Sequence, residues 1–138
     1  MACFIACSKT KRKYPCMAKY MYMGSLFTKS FQFCKKFYSK QPIFILSAKY
    51  GLLTPEQIIE PYEKTLNTFT QKELITWSNM IQKQLKVQNI KKPYIFLTGK
   101  KYQGTLQGLN IFGNLSFGKR LSFLNKELNK SKNNFNLV

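Results

Sequence analysis

Three short runs of consecutive apolar residues constrain the fold of this chain most strongly. They are "ACFIAC" (2–7), "PIFILSA" (42–48) and "PYIFLTG" (93–99). Runs that are apolar without alternation are typical of strands buried on both faces, as in a parallel sheet covered by helices. The sequence therefore predicts three buried strands that are joined by long crossover segments.

The segments between and after these runs carry helical signals. Ser25 is a candidate cap for the first helix, which has one apolar stripe. Thr70 and Glu73 have the spacing of a capping box and open the second helix. The predicted helices cover about 25–38, 70–87, a short stretch within 100–110, and about 117–128.

This order of strands and helices predicts the fold class. We expect an α/β domain of three layers, with a mostly parallel sheet flanked by helices and right-handed crossovers. The chain has 138 residues, of which 44% are hydrophobic, so it is long enough to bury one core. Residues 1–130 are predicted to form a single domain, and residues 131–138 a flexible basic tail.

The charge balance indicates a polyanionic partner. The chain carries 23 Lys and Arg against 5 acidic residues, a formal net charge of +18, and it has no His. Such a field favours nucleic acid, nucleotide phosphates or anionic lipid, although an AT-rich coding sequence is an alternative source of the lysines. No apolar run approaches the ~20 residues that span a bilayer, so we expect no membrane partner and a cytoplasmic protein.

The four cysteines indicate neither a metal site nor a disulfide framework. Cys3, Cys7, Cys16 and Cys34 form no CxxC pair. Two of them, Cys3 and Cys7, would lie roughly 13 Å apart on one strand, too far to bind one ion together. With no His in the chain, we expect no metal and no cofactor, and thiols that are buried in a reducing compartment.

Each predicted strand is followed by a hydroxyl and a lysine. The pairs are Ser8-Lys9, Ser47 with Lys49, and Thr98 with Lys100. Ligands of parallel α/β sheets bind beyond the carboxyl ends of the strands, so these groups predict a crevice suited to a phosphate or a carboxylate. The alternative is chance, since small residues often end strands and Lys is abundant here. The basic run "KTKRK" (9–13) fits a phosphate-contacting loop, a localisation signal or a solvated loop.

Three of the five carboxylates fall in one segment, "ILSAKYGLLTPEQIIEPYEKTL" (45–66). "TPEQ" (54–57) matches a helix start, which gives Glu56 a structural role. Glu60 precedes Pro61, which would end that helix. Glu63 is the remaining candidate for chemistry: its carboxylate would orient water, accept a proton, or bind a base edge or ribose hydroxyls. Its alternative role is a surface salt bridge.

Five segments of the chain resemble a family of small bacterial and phage proteins that is catalogued as a domain of unknown function. The segments are "IACSKTKRKYP", "YMGSLF", "ILSAKYGLLTPEQIIEPYEKTL", "FLTGKKY" and "NLSFGKRLSFLNKEL". The resemblance covers nearly the whole chain. The chain departs from the family pattern at Thr98, where Ala is preferred, and at Leu115 and Ser116, where a Gly is usual nearby.

The resemblance implies a fold and a kind of site. The family is distantly similar to YaaA-type peroxide-stress proteins, which are linked to DNA, and to the catalytic region of archaeosine synthase, whose fold is like uracil-DNA glycosylase. It thus implies that fold and a pocket that handles a nucleobase, but it establishes no nucleophile. The residues that it places at the site are Ser8, Lys9, Lys11, Ser25, Ser47, Lys49, Tyr50, Gly51, Pro61, Tyr62 and Glu63.

Two functional hypotheses follow. The first is an enzyme that acts on a base or glycosidic bond in DNA or RNA, with Glu63 as the catalytic carboxylate and Lys49, if buried, as an amine nucleophile. Its base would stack on Tyr50 or Tyr62. The second is a non-catalytic DNA- or RNA-binding module or ribonucleoprotein subunit. In either, the predicted substrate- and phosphate-binding residues are Ser8, Lys9, Lys11, Ser25, Ser47, Tyr50, Gly51, Tyr62, Thr98 and Lys100.

Overall fold

The computed structural model describes the backbone of residues 1–136 and the side chains of residues 1–130. Its strands are β1 (Ala2–Ala6), β2 (Cys16–Met17), β3 (Ile43–Ser47), β4 (Gly51–Leu53), β5 (Ile58–Ile59), β6 (Tyr94–Leu97) and β7 (Leu109–Asn110). Its helices are α1 (Ala18–Met21), α2 (Ser25–Phe37), α3 (Gln71–Val87), α4 (Lys100–Gln103) and α5 (Phe117–Asn136), with a 3-10 turn at Leu66–Thr68.

The three predicted strands form the centre of a five-stranded sheet. The strand order is β4-β3-β1-β6-β7, in which β1 pairs in parallel with both β3 and β6, and β7 pairs in parallel with β6. Only β4, which returns from β3 as a hairpin, is antiparallel. The prediction of a mostly parallel α/β sheet is therefore confirmed, because the continuous apolar runs supply strands that are covered on both faces.

Helices cover both faces of this sheet. On one face Cys3 and Ile5 of β1 pack in a core with residues of α2 and α5. On the other face Phe4 packs in a second core with Trp77 and Ile81 of α3. Alternate side chains of one strand thus enter different cores, as the pleat of a strand requires, and the sheet is the middle of three layers.

The two long internal helices lie where the sequence predicts them. Thr70 Oγ1 accepts a hydrogen bond from Glu73 N at 3.1 Å, and Glu73 Oε1 accepts one from Thr70 N at 3.0 Å, which confirms the capping box of α3. The prediction that Ser25 caps α2 is wrong, because Gly24 is the capping residue and Ser25 is the first helical one. A Cβ at Gly24 would lie 2.9 Å from Ser8 Cβ, so the close loop packing requires glycine there.

The helix predicted to begin at 54–57 and to end before Pro61 does not form, and its first residues make a turn instead. Gln57 N donates to Thr54 O at 3.2 Å, and β5 follows at once and pairs with β2. Backbone N–H groups of Ala18 and Lys19 donate to carbonyl oxygens of this turn. These tertiary hydrogen bonds, together with the pairing of β5 with β2, outweigh the local helix-start signal.

The stretch 100–110 contains less helix than predicted. Helix α4 ends at Gln103, followed by Gly104 with φ +57°, and β7 then joins the sheet at Leu109–Asn110. Gly108 passes so close to the backbone of Tyr94 that no side chain fits. Residues 109–110 join the edge of the sheet as a strand, because pairing there supplies hydrogen-bond partners for their backbone groups.

The last helix is longer than predicted and continues past residue 128 to Asn136. The flexible tail expected at 131–138 lies outside the described side chains and stays a prediction. Within the described residues, no helix has both the length and the apolarity needed to cross a bilayer.

Candidate functional site

The carboxyl ends of three parallel strands meet at one edge of the sheet. Ile5 of β1 lies level with Ile45 of β3 and with Leu97 of β6. The residues that follow these positions therefore leave the sheet side by side. We call this side of the sheet the carboxyl edge, and the opposite side the amino edge.

Ser47 is the innermost polar residue of the carboxyl edge, with an exposed fraction of 0%. Its Oγ accepts hydrogen bonds from the backbone N–H groups of Lys49 at 3.2 Å and Tyr50 at 3.0 Å. The indole Nε1 of Trp77 donates to the backbone carbonyl oxygen of Ser47 at 3.0 Å. The Ser47 hydroxyl thus holds the start of the β3–β4 turn and does not face solvent.

A chain of three hydroxyls runs outward from Ser47. Tyr62 OH lies 2.7 Å from Ser47 Oγ and 2.7 Å from Tyr22 OH. Backbone N–H groups occupy both lone pairs of Ser47 Oγ, so this hydroxyl donates to Tyr62. The contact between Tyr62 and Tyr22 uses one phenolic hydrogen. The second phenolic hydrogen of this pair of tyrosines has no partner in this chain of hydroxyls among the described residues, and it can donate to a ligand.

Burial raises the pKa of these phenols. For both Tyr22 and Tyr62, burial is the main cause that raises the pKa, and the Coulomb interaction with the neighbouring Cys7 adds to it. A neutral phenol donates and accepts hydrogen bonds but does not act as a phenolate nucleophile near neutral pH. The chain of hydroxyls is therefore suited to binding a polar edge rather than to attacking a substrate.

Lys11 covers this chain of hydroxyls from outside. Its ammonium nitrogen lies 4.5 Å from the centroid of the Tyr62 ring, a cation–π contact. Burial lowers the pKa of Lys11, whereas the charges of Cys7 and of Glu63 raise it. Both acidic groups are therefore close enough to influence the ammonium group, and Lys11 is the basic group at the centre of the site.

Cys7 and Tyr102 complete the site. Cys7 Sγ lies 3.3 Å from Tyr102 OH, and the Tyr102 ring packs edge-on against Trp77 at 5.8 Å between centroids. Burial, followed by the charge and hydrogen bond of Cys7, raises the pKa of Tyr102. We name the six residues together the carboxyl-edge cluster: Cys7, Lys11, Tyr22, Ser47, Tyr62 and Tyr102.

Three members of the cluster were not predicted as site residues from the sequence. The sequence predicts Cys7 only as a buried thiol, although it ends the first strand run directly before Ser8. Tyr22 and Tyr102 belong to "YMGSLF" and "FLTGKKY", two of the segments on which the family resemblance rests. The signal was thus present, but only the fold shows that these segments meet.

Several predicted ligand residues support the backbone instead of facing the cluster. Ser8 Oγ donates to Thr10 O at 2.8 Å and accepts from Gly24 N at 3.3 Å. Thr98, which is buried, donates to Gly99 O at 2.9 Å. Lys9, Ser25 and Lys100 have exposed side chains. The structure therefore brings Lys11, Ser47 and Tyr62 together, and leaves the other predicted contacts around them.

The residues of the "SAKYG" turn (47–51) that were predicted as site residues have structural roles or face solvent. Lys49 is exposed, with its ammonium 5.1 Å from the Tyr50 ring centroid, so the burial that an amine nucleophile requires is missing. Tyr50 OH accepts from Glu60 N at 3.2 Å and ties the turn to the "EPYE" loop. Gly51 has φ +74°, and a Cβ there would lie 2.7 Å from Met80 Cε.

Glu63 and Arg120 lie at the margin of the site. Glu63 is exposed, and its charge acts on Lys11. A Cβ on Gly99 would lie 3.5 Å from Arg120 Nη1, so this guanidinium adjoins the carboxyl end of β6. Arg120 Nε donates to Leu115 O at 2.8 Å, which fixes the side chain. Arg120, which the sequence does not predict as a site residue, supplies a second cation at this edge.

Two surface concavities lie at the amino edge, away from the cluster. One, of about 280 Å³, is lined by residues of 31–44 and 54–56, and the other, of about 790 Å³, by residues of 82–94 and 105–107. Their position differs from the predicted crevice, whose polar groups lie under Lys11. Within the described part of the chain, no three His, Cys, Asp or Glu side chains are grouped as a metal site requires.

Comparison with known proteins gives the family of the chain. No curated protein and no solved structure matches it. The predicted similarity to YaaA-type proteins and archaeosine synthase therefore stays a prediction. A family model described as "Family of unknown function (DUF6884)" matches residues 2–126, which include the whole carboxyl-edge cluster. The chain belongs to this family of small domains of unknown function, as its sequence segments predict.

Proposed function

We propose that the chain is a nucleic-acid-binding protein that holds a nucleobase or nucleotide at the carboxyl edge and acts on the base or its glycosidic bond. One observation carries the proposal. On a chain of net charge +18, the half-buried Lys11 lies on the Tyr62 ring, next to Cys7 and a phenolic hydrogen that lacks a partner in the chain of hydroxyls.

Binding would use the groups of the cluster in two ways. The Lys11 ammonium and the Arg120 guanidinium would neutralise phosphate oxygens, the Arg with its planar set of donors. When Lys11 turns to a phosphate, it uncovers the face of Tyr62 for stacking by a base. The available phenolic hydrogen would then donate to an acceptor on the base edge.

Chemistry at the bound base would involve Lys11 and Glu63. In hydrolysis of the glycosidic bond, water adds to the sugar carbon as the carbon–nitrogen bond breaks. Glu63 would take the proton of the water, and the Lys11 ammonium would protonate the departing base. Burial lowers the pKa of Lys11, which makes its ammonium a better acid than an ordinary lysine.

The family resemblance agrees with this proposal. The resemblance implies a fold like uracil-DNA glycosylase and a pocket that handles a nucleobase, and we propose that this mixed sheet belongs to that fold. A cytoplasmic location, with access to DNA and RNA, is part of the same proposal.

A non-catalytic DNA- or RNA-binding module is the second candidate. The observation that favours it is how few groups at the strand ends are free to take part in chemistry. Ser47 and Thr98 are buried, and Lys49 is exposed. These groups bind the protein itself or solvent, so Lys11 and Glu63 would have to supply all proton transfer.

Variants at the two edges test the proposal. Lys11→Gln and Glu63→Gln change the carboxyl edge, whereas Lys86→Gln and Glu56→Gln make the same changes at the amino-edge concavities. Oligonucleotide affinity is measured by fluorescence anisotropy, and base release or modification by mass spectrometry. We expect Lys11→Gln to weaken binding several-fold and Glu63→Gln to abolish turnover without loss of binding.

The controls should behave like the parent protein in both assays. If all four variants bind and react alike, the site is not at the carboxyl edge and the proposal is wrong. Binding that depends on Lys11, with no reaction on any base even in the parent protein, would instead support the non-catalytic module.

A further inference from the structure

A second group of side chains lies beside the carboxyl-edge cluster and has no role in it. Two tyrosines in this group, Tyr14 and Tyr20, have exposed fractions of 55% and 54%. Large aromatic rings that are half exposed offer apolar faces that a stacking partner can cover. Arg12 and Lys19 accompany them, and we call these four residues the tyrosine platform.

Arg12 connects the two tyrosines. Its Nε donates to the backbone oxygen of Tyr20 at 2.8 Å, and its Nη1 donates to Tyr14 OH at 3.1 Å. Its guanidinium carbon also lies 5.9 Å from the Tyr14 ring centroid. Lys19 Nζ lies 5.2 Å from the ring centroid of Tyr20. Each exposed ring is therefore paired with a cation, and one guanidinium fixes both tyrosine segments.

The platform is continuous with the cluster. Lys11 and Tyr22, which are members of the cluster, form an antiparallel bridge between the two segments that carry the platform. On either side of this bridge, Arg12 N donates to Met21 O at 2.9 Å and Met23 N donates to Thr10 O at 2.9 Å. The backbone segments that carry the platform are therefore hydrogen-bonded to each other at Lys11 and Tyr22, and a nucleic-acid strand stacked on the platform would lie next to the cluster.

The geometry points to single-stranded nucleic acid as the substrate class. Exposed aromatic rings alternating with cations bind unpaired bases by stacking and their phosphates by charge, whatever the base sequence. A duplex keeps its base faces stacked inside and offers them only at its ends. The inference rests on the proposed function, since it names the form of nucleic acid that the carboxyl edge accepts.

The test separates stacking from hydrogen bonding and from charge. One double variant is Tyr14→Phe with Tyr20→Phe, which keeps both rings, and the other is Tyr14→Leu with Tyr20→Leu, which removes them. Phe37→Leu is the matched control, because Phe37 is 42% exposed and ends α2 beside a lysine. Binding of a labelled oligothymidylate of about 12 nucleotides, and of a blunt duplex of equal length, is followed by anisotropy.

The Leu double variant should lose on the order of tenfold or more in single-strand affinity, while its duplex affinity stays near that of the parent. The Phe double variant and Phe37→Leu should bind like the parent. The dependence of oligonucleotide affinity on salt should be the same in the parent and in all three variants, since no charge is removed. Urea unfolding confirms that each variant is folded.

If the Leu double variant binds single strands as tightly as the parent, the platform is not a stacking surface. If Lys11→Gln still weakens binding in that case, the proposed function stands without it. If the parent binds neither oligonucleotide, the proposed function fails and the platform with it.

Discussion

At the scale of single residues, Ser47 shows both what the sequence can predict and where its prediction ends. Its place after a continuous apolar strand predicts a hydroxyl at the carboxyl edge, and the structure places it there. The direction of that hydroxyl depends on the β3–β4 turn, whose N–H groups at Lys49 and Tyr50 bind it from outside the strand. Sequence patterns do not contain this information, because the turn takes its shape from contacts with α3.

The chain of hydroxyls should contribute to stability through Tyr62. Tyr62→Phe leaves the Ser47 hydroxyl and one phenol without their partner, which should lower the free energy of unfolding by about 1–2 kcal/mol. Tyr20→Phe is the control, since the contact of Tyr20 with Arg12 uses the backbone oxygen. Urea denaturation measures both variants, and equal stabilities would show that the chain of hydroxyls contributes nothing.

Buried phenols also predict how stability depends on alkaline pH. Burial, followed by the charge and hydrogen bond of Cys7, raises the pKa of Tyr102 in the folded state above its unfolded value of about 10. The folded state therefore binds this proton more tightly, so the contribution is complete below about pH 10 and is lost as pH rises further.

The variant Tyr102→Phe isolates this contribution from the titration of the lysines, which both proteins share. Between about pH 9 and pH 11, the urea midpoint of the parent should fall more steeply than that of the variant. Parallel curves would mean that Tyr102 titrates alike in the folded and unfolded states.

At the scale of elements, sequence patterns predict those strands and helices that local interactions determine. The three central strands follow from their apolar runs, and α3 follows from its capping box. The turn at 54–57 and strand β7 were missed, because hydrogen bonds to distant segments determine them. Short strands without an apolar run, such as β2 and β5, carry no signal that distinguishes them from loops.

The hairpin of β3 and β4 gives an element-scale prediction at Gly51. Gly51→Ala should destabilise the fold both through strain at φ +74° and by displacing Gln84 of α3, whose side chain is hydrogen-bonded to the backbone of Tyr50 and Leu52. Gly113→Ala is a matched control, because Gly113 has φ +55° but no atom within 4 Å of the added Cβ. The control should cost about 1 kcal/mol.

In urea unfolding, Gly51→Ala should lower the free energy of unfolding clearly more than the control Gly113→Ala does. The difference between the two variants measures the packing of the hairpin against α3. A cost at Gly51 no larger than that at Gly113 would show that α3 moves aside and does not hold the turn.

At the scale of the whole molecule, the site is assembled from segments that are far apart in sequence. Cys7 meets Tyr102 because β1 lies beside β6, and Tyr22 meets Tyr62 because β2 pairs with β5. The sequence predicts which strand ends meet, but not which side chains from the connecting segments join them. Of the cluster, Ser47 is predicted from the end of a strand, and Lys11 and Tyr62 are implied by the family resemblance, whereas their partners Tyr22 and Tyr102 are not predicted.

The net charge of +18 also acts on the molecule as a whole. Mutual repulsion of the lysines should destabilise the compact state, and counterions should relieve it. The melting temperature should therefore rise as NaCl increases from about 10 to 200 mM. Glycerol of the same osmolarity is the control for a general solute effect, and a melting temperature that does not depend on salt would contradict this expectation.

Crosslink mapping shows directly whether nucleic acid binds at the carboxyl edge. A photoreactive single-stranded oligonucleotide is crosslinked to the protein, and the modified peptides are identified by mass spectrometry. We expect adducts that concentrate on 8–22 and 60–66, the segments that carry Lys11, the tyrosine platform and Tyr62. Adducts concentrated at the amino-edge concavity around Lys86, or spread evenly over the lysine-bearing peptides, would contradict it.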